Sequence, residues 1–174
     1  ALSWTGGAAM AQDFPSRSLR IIVPTSPGSG SDIVGRFMAE QLAGVLGQPV
    51  VVENRAGGNG VIAAMAVKQA PADGYTLFLG TNTHMAVNPV VVKDIPYDAG
   101  KDFKPISGLT RGMMVVIASA ANNRFQTLAD LVQAGRNSSA QLNVGTYTAG
   151  FHLSAQWFAS ASKTRHVNVP YRGA

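Results

Sequence analysis

The sequence predicts an α/β protein in which helices cover parallel sheets. Three observations carry this prediction. Short apolar runs rich in β-branched residues alternate with segments whose apolar residues recur at helical spacing. Glycine-rich loops join them, and most connections are short. Because neighbouring parallel strands need a crossover between them, the order strand–helix–strand–helix–strand favours a parallel sheet. A composition of 46% hydrophobic and 13% charged residues, with 19 glycines, fits a folded domain rich in tight turns.

The first part of the chain contains three predicted strands and two predicted helices. The strands cover residues 19–24, 49–53 and 75–79. Apolar residues at helical spacing follow the first strand, where Ser31 or Asp32 is the expected N-cap and Gly47 the expected stop. A shorter, alanine-rich helix is expected over residues 61–70.

A polar, partly helical connection over residues 81–105, interrupted by prolines, precedes a second series of elements. The strands expected there cover residues 113–118, 142–145 and 166–169. The helices expected there cover residues 128–134, capped by Thr127, and 151–162. The chain ends straight after a strand, so we expect the natural polypeptide to be longer and this chain to be a fragment. A native mass near 18 kDa would contradict that expectation.

Composition excludes several function classes. The net charge is +5, but the 14 lysines and arginines are scattered without an aromatic platform between them, so nucleic-acid binding is not expected. The absence of cysteine excludes disulfides, thiolate metal sites and a catalytic cysteine. The three histidines are far apart and lack metal-ligand spacing. We therefore expect neither a metal nor a cofactor, whereas the modest positive field favours anionic solutes.

The N-terminus indicates export. Residues 1–11 are small, apolar and uncharged, and Ala9-Met10-Ala11 matches the A-x-A cleavage pattern of a secretory signal. We interpret residues 1–13 as the tail of a signal peptide, or alternatively as a disordered terminus. The expected location is therefore the periplasm.

Three predicted strand-to-helix loops carry groups that can bind an anion. Ligands of open parallel sheets bind beyond the carboxyl ends of the strands, where helix-start N–H groups attract negative charge. The first loop spans residues 24–32 and adds the hydroxyls of Ser26, Ser29 and Ser31. The alternative is a glycine loop that merely turns the chain.

The other two loops follow the third strand and the strand at 142–145. The second spans residues 80–89 and offers side-chain donors; the alternative is a polar surface loop. The third spans residues 145–155, where Thr146, Thr148 and the N–H groups of Ala149 and Gly150 would form an anion nest. His152 follows in the first helical turn, either as a ligand group or as a capping or packing residue.

Motifs of nucleotide-dependent and hydrolytic enzymes are absent or weak. The first loop lacks the lysine of a phosphate loop, and no serine lies in a G-x-S-x-G elbow. Gly58-x-Gly60-x-x-Ala63 matches a loosened dinucleotide fingerprint. A nucleotide-dependent enzyme on a similar α/β topology therefore stays as an alternative. No catalytic residues are assigned.

Five stretches resemble one protein family in order. They are FPSRSLRIIVPTSPGSGSDIVGR (14–36), LGQPVVVENRAGGNGVIAA (46–64), DGYTLFLGTNTHMAVNP (73–89), IPYDAGKDFKPIS (95–107) and HVNVPYRGA (166–174). They resemble the tripartite tricarboxylate transporter substrate-binding proteins, also called the Bug family. The first loop departs from the family's PFPPGG pattern and is more polar.

The resemblance implies a two-domain clamshell of the type II periplasmic-binding-protein kind, in chains roughly twice this length. Residues 14–108 would then form the first α/β domain, incomplete without a C-terminal return, and residues 109–174 the start of the second. The implied function is a periplasmic receptor, not an enzyme, that captures a dicarboxylate, amino acid or aromatic acid for the permease subunits of a transporter. The implied ligand-binding residues are Thr25, Ser26, Pro27, Gly28, Ser29, Gly30, Ser31, Thr81, Asn82, Thr83, His84, Thr146, Tyr147, Thr148, Ala149 and Gly150. A receptor fragment that binds nothing alone is the remaining alternative.

Overall fold

The computed structural model describes residues 13–119, 124–137 and 142–171. Within these ranges five strands form two parallel sheets. The first sheet has the order β2-β1-β3, and the second pairs β4 with β5. The strands are β1 (Leu19–Val23), β2 (Val50–Asn54), β3 (Thr76–Phe78), β4 (Asn143–Thr146) and β5 (Val167–Pro170). The predicted class of parallel α/β sheets with helices is confirmed.

The first sheet is built around β1 because its apolar residues are buried while both of its edges are hydrogen-bonded. Ile21 lies beside Val52 of β2 and Leu77 of β3 in the parallel register. Helix α1 (Gly30–Leu46) packs its apolar side against this sheet, and buried Ala39 joins Ile21 in the core. Helix α2 (Val61–Lys68) contributes two fully buried alanines, which allow a close approach to the strands.

The helix caps were predicted with mixed success. Ser29, rather than Ser31 or Asp32, caps α1, and its hydroxyl accepts the Asp32 N–H at 3.3 Å. The Asp32 carboxylate is unavailable as a cap because it binds other groups, described below. Gly47 ends α1 as predicted, with a left-handed φ of 66°. Helix α4 (Leu128–Arg136) begins after Thr127, which forms the predicted cap as half of a capping box.

The strand predicted at residues 113–118 is wrong. Residues 103–119 form neither helix nor strand, and Met113 and Ile117 are 94% and 84% exposed. The apolar run has strand-like composition, but a strand also needs a neighbour to accept its hydrogen bonds, and none of the described residues supplies one. This segment links the part of the chain with the three-stranded sheet to the part with the two-stranded sheet. The boundary near residue 108 stays a prediction.

The remaining helices lie close to their predicted positions. The polar connection contains a π-helix (Thr83–Val87) followed by the short helix α3 (Asn88–Val91). Helix α5 (Ala149–Ser162) begins two residues earlier than expected. In the described ranges, no helix combines the length and apolar character needed to cross a bilayer. Of the predicted signal-peptide tail at residues 1–13, residues 1–12 lie outside the described residues.

Gly60 provides a test of the packing at the start of α2. Its φ of 81° is left-handed, and a methyl group there would overlap the His84 ring. We expect Gly60→Ala to lower the free energy of unfolding by at least ~2 kcal/mol, because strain and overpacking add. Gly44→Ala is the matched control: it lies inside α1 with open space around it, and should be neutral or stabilising by up to ~1 kcal/mol. Equal urea midpoints for the two variants would contradict this account.

Candidate functional site

A cavity of about 650 Å³ lies between the two sheets, at the carboxyl ends of their strands. The chain turns there from β1, β2 and β4 into the helices that follow, and β5 ends there as well. Its lining residues come from both parts of the chain: Pro24, Thr25, Ser26, Ala56, Gly57, Gly58, Asn59, Gly60, Thr146, Tyr147, Thr148, Ala149, His152, Pro170 and Tyr171. The topology therefore brings the ends of four strands together around one space.

The first predicted loop contributes Thr25 and Ser26 to the cavity. The Asn54 amide holds Thr25 by donating to its carbonyl at 3.0 Å, and the Thr25 hydroxyl lies 2.6 Å from the Ser29 hydroxyl. The Ser26 hydroxyl makes no hydrogen bond to another described residue, so it is available to a bound molecule. The other predicted residues of this loop, Pro27, Gly28, Ser29, Gly30 and Ser31, do not line the cavity.

Asp32 accepts the backbone N–H of Gly28, which is therefore directed away from the cavity. Its buried carboxylate accepts the Gly28 N–H at 2.8 Å, the Arg36 guanidinium at 3.0 Å and the Asn54 amide at 2.8 Å. The Arg36 hydrogen bond, followed by the Gly28 N–H, lowers the pKa of Asp32 to about 2. The start of α1 therefore already holds a carboxylate of the chain itself, fully hydrogen-bonded.

The second predicted loop supports the cavity from behind its lining residues. Thr81 donates its N–H to Nδ1 of buried His84 at 3.0 Å, and the His84 ring contacts Gly60. The Thr83 hydroxyl lies 3.3 Å from the Thr148 hydroxyl, which joins the two parts of the chain. Asn82 is exposed. None of these four predicted residues, Thr81 to His84, lines the cavity in the structure.

Residues 56–60 line the cavity although sequence reasoning did not assign them to the site. Gly57, Gly58, Asn59 and Gly60 all have positive φ, which only a glycine-rich segment with asparagine adopts readily. In the sequence this segment stands out only as a loosened dinucleotide motif. The strand-end argument used for the other loops applies equally here, because β2 is parallel to β1 and its carboxyl end reaches the same sheet edge.

A buried polar network fixes this turn. Asn88, fully buried, donates to the Asn59 carbonyl at 2.9 Å and to the Tyr97 hydroxyl at 3.2 Å. The Tyr97 hydroxyl in turn donates to the His84 carbonyl at 2.7 Å. The network joins the turn to the π-helix and leaves the turn little freedom to move.

The third predicted loop lines the opposite wall. Thr146, Tyr147, Thr148 and Ala149 line the cavity, whereas Gly150 is buried against Thr83. Burial raises the pKa of Tyr147, whose ring lies 4.5 Å from that of Phe151 between centroids, and the phenol therefore stays neutral.

His152 and two residues at the end of β5 complete this wall. The Tyr171 N–H donates to the Thr146 carbonyl at 2.7 Å, which continues the pairing of the second sheet to the cavity. His152, for which the sequence allowed a ligand, capping or packing role, lines the cavity. Pro170 and Tyr171 line it as well, although they were not among the predicted site residues. Their position after a parallel strand was the available signal.

The cavity wall carries hydrogen-bond donors and two helix starts but no lysine or arginine among its described residues. Of the described residues that line it, none is lysine, arginine, aspartate or glutamate. Helices α2 and α5 both begin at its wall, and neither receives a hydrogen bond from the side chain of its own N-cap residue. Helix starts present partial positive charge and N–H donors. Among the described residues, no three histidine, aspartate or glutamate side chains cluster as metal ligands.

The chain was compared with known proteins. The family profile described as the tripartite tricarboxylate transporter family receptor matches residues 34–174. A UPF0065 protein of Bordetella bronchiseptica is 36% identical over 164 residues, which cover 94% of this chain and 49% of that protein. The chain therefore spans about half the length of the curated relatives it matches.

Solved structures share the fold. The structure of Rpa4515 of R. palustris with adipate has a TM-score of 0.81 at 32% identity, covering 92% of this chain and 54% of that one. MatC (Rpa3494) from Rhodopseudomonas palustris with bound malate has a TM-score of 0.78 at 27% identity, covering 92% and 55%.

The pKa of His84 provides a test of the support beneath the cavity. Burial lowers this pKa from 6.5 to about 4. As the pH falls below 6.5, His84 of the unfolded chain becomes protonated. In the folded chain the same residue stays neutral until the pH approaches about 4. The free energy of unfolding should therefore decline from pH 6.5 to pH 4 and lose no more from this residue below that range.

The matched variant is His84→Asn, which keeps an acceptor for the Thr81 N–H but does not titrate. Urea unfolding at intervals between pH 7 and pH 4 compares the two slopes, whatever the absolute stability of the variant. A variant slope as steep as that of the wild type would assign the acid sensitivity to other groups.

Proposed function

The chain belongs to the tripartite tricarboxylate transporter receptor family, and we propose on that premise that it captures a small organic carboxylate in the cavity between its two sheets. The observation that supports this most directly is the cavity wall, which combines two helix starts and several hydroxyls with no lysine, arginine, aspartate or glutamate among its described residues. Two structural neighbours are described with adipate and malate bound, and both of these ligands are dicarboxylates.

The donor set favours a carboxylate over other small solutes. A carboxylate can accept hydrogen bonds from N–H groups and hydroxyls at both of its oxygens. An ammonium group would meet donors of its own kind and no acidic side chain among the described lining residues. A volume of about 650 Å³ is within the range of small-molecule sites. Within the broad ligand class expected from sequence, we favour carboxylates that carry no ammonium group.

Two alternatives to a carboxylate receptor are a nucleotide-dependent enzyme and a chain that binds no ligand. The family and its structural neighbours are receptors rather than enzymes, so a nucleotide-dependent enzyme is set aside. The glycine turn that suggested a nucleotide lies in the cavity wall. The second candidate is a chain that binds nothing alone, which the half-length match to the relatives favours. Against it, both walls of the cavity are present within these 174 residues.

Members of this receptor family are periplasmic binding proteins. We propose the same compartment for this chain, in line with the A-x-A pattern near its N-terminus. The proposed partners are the permease subunits of a tripartite transporter. Ligand capture would draw together two domains, proposed as residues 14–108 and 109–174, about the segment 103–119.

Calorimetry with adipate, malate and adipamide tests the proposal. Adipamide keeps the length and shape of adipate but replaces both carboxylates with neutral amides. We expect measurable binding of at least one dicarboxylate and none of adipamide. The amide carbonyls can accept hydrogen bonds, but they lack the negative charge that strengthens hydrogen bonds from helix-start N–H groups, and their NH₂ groups would face other donors. Equal binding of adipate and adipamide would contradict carboxylate recognition. Absence of binding to both dicarboxylates would favour the non-binding alternative.

A further inference from the structure

We infer that Asn59 has two linked roles: its side-chain oxygen ties the two parts of the chain together, and its side-chain amide nitrogen binds the carboxylate of the ligand. The inference rests on the proposed function and names a residue that the sequence reasoning did not assign to the site. Asn59 lies in the turn after β2, lines the cavity and contacts the start of α5.

The first role follows from an unusual helix cap. The Ala149 N–H in the first turn of α5 donates to Oδ1 of Asn59 at 3.2 Å, across 90 residues of sequence. Thr148, the N-cap residue, gives no side-chain cap to its own helix, and its hydroxyl lies beside that of Thr83 instead. Asn59 therefore supplies, from the first sheet's side of the cavity, a side-chain acceptor for the first N–H of α5, which the helix itself leaves unpaired.

The geometry of Asn59 is fixed before any ligand arrives. Its backbone is left-handed, with a φ of 54° and a ψ of 32°, which asparagine tolerates better than most residues. The buried Asn88 amide holds its carbonyl at 2.9 Å. A side chain anchored at its backbone and at its oxygen loses little further freedom on binding, so preorganisation favours affinity.

The second role follows from the chemistry of the amide group. Because Oδ1 accepts the Ala149 N–H, the Nδ2 group of Asn59 remains as a donor. It makes no hydrogen bond to another described residue, although Asn59 lines the cavity. A carboxylate that accepts from Nδ2 would lie beside the start of α5, where further N–H groups and partial positive charge are available. One ligand would then contact both sides of the cavity.

Asn59→Asp separates the two roles. Aspartate tolerates the left-handed backbone and keeps an oxygen for the Ala149 N–H, but it replaces the donor with a negative charge that repels a carboxylate. We expect adipate affinity to fall at least tenfold while the urea midpoint stays within error of the wild type. If Asn59 had only a structural role, the substitution would lower the adipate affinity only as far as it also lowered the stability.

Two further variants control for charge and for the tie. Asn143→Asp adds the same charge at the exposed start of β4, the end of the strand far from the cavity, and should bind adipate within twofold of the wild type. Asn59→Gly keeps the left-handed backbone and removes both groups. It should weaken adipate binding and also speed hydrogen exchange of the Ala149 amide, which Asn59→Asp should leave protected.

The outcomes distinguish this inference from the proposed function. Wild-type affinity in Asn59→Asp would overturn the ligand role, and unchanged Ala149 exchange in Asn59→Gly would overturn the tie. A wild-type chain that binds neither adipate nor malate would overturn the proposed function and, with it, the ligand role of Asn59. The exchange measurement needs no ligand and decides the tie in either case.

Discussion

The structure depends on where the backbone N–H groups at the strand-to-helix turns find their acceptors. Every helix start leaves such donors unpaired within the helix, and a buried donor without a partner is costly. At α1 the acceptors are internal, because the Ser29 hydroxyl and the Asp32 carboxylate take the N–H groups of the turn. At α2 and α5 the N-cap residues supply no such side-chain bond, and both helix starts lie at the cavity. The turn before α1 is therefore closed by its own carboxylate. At the starts of α2 and α5 the first N–H groups donate instead to the Gly58 carbonyl and to the Asn59 side chain, in segments that line the cavity.

The turn between β2 and α2 has its shape because buried polar groups hold it. Consecutive residues with positive φ would be costly in an isolated chain, and the surrounding structure must compensate. Asn88 and Tyr97 provide hydrogen bonds where solvent is excluded, and His84 packs its neutral ring against Gly60. Burial of a neutral histidine links this support to pH, whereas the depressed pKa of Asp32 leaves the turn before α1 intact to far lower pH.

The sequence predicted what local patterns determine and failed where distant partners decide. The strand β1 is recognisable because its apolar run and the glycine loop after it are local signals. The capping role of Thr127 is recognisable because the capping box lies within four residues. The cap of α1 was misassigned because three serines compete in one loop, and only the contacts of Asp32 select Ser29. The run at 113–118 has the composition of a strand without a described partner. The turn at 57–60 was not predicted as part of the site. Its sequence matched a weak nucleotide motif, while its position after a strand parallel to β1 was not used.

A cavity lined without lysine, arginine, aspartate or glutamate among its described residues is compatible with the proposed reversible capture of a ligand. A buried salt bridge would have to repay the desolvation of two charges and would hold its ligand by one strong contact. Here the described lining residues offer hydroxyls, amides and helix starts, so in the proposed complex each hydrogen bond would be modest and selectivity would come from their number and placement. The net charge of +5 can still attract anions from a distance, since long-range steering does not require a cation at the site itself. In the proposed receptor, long-range attraction and local recognition would therefore rest on different groups, and release of the ligand would break several weak hydrogen bonds rather than a buried ion pair.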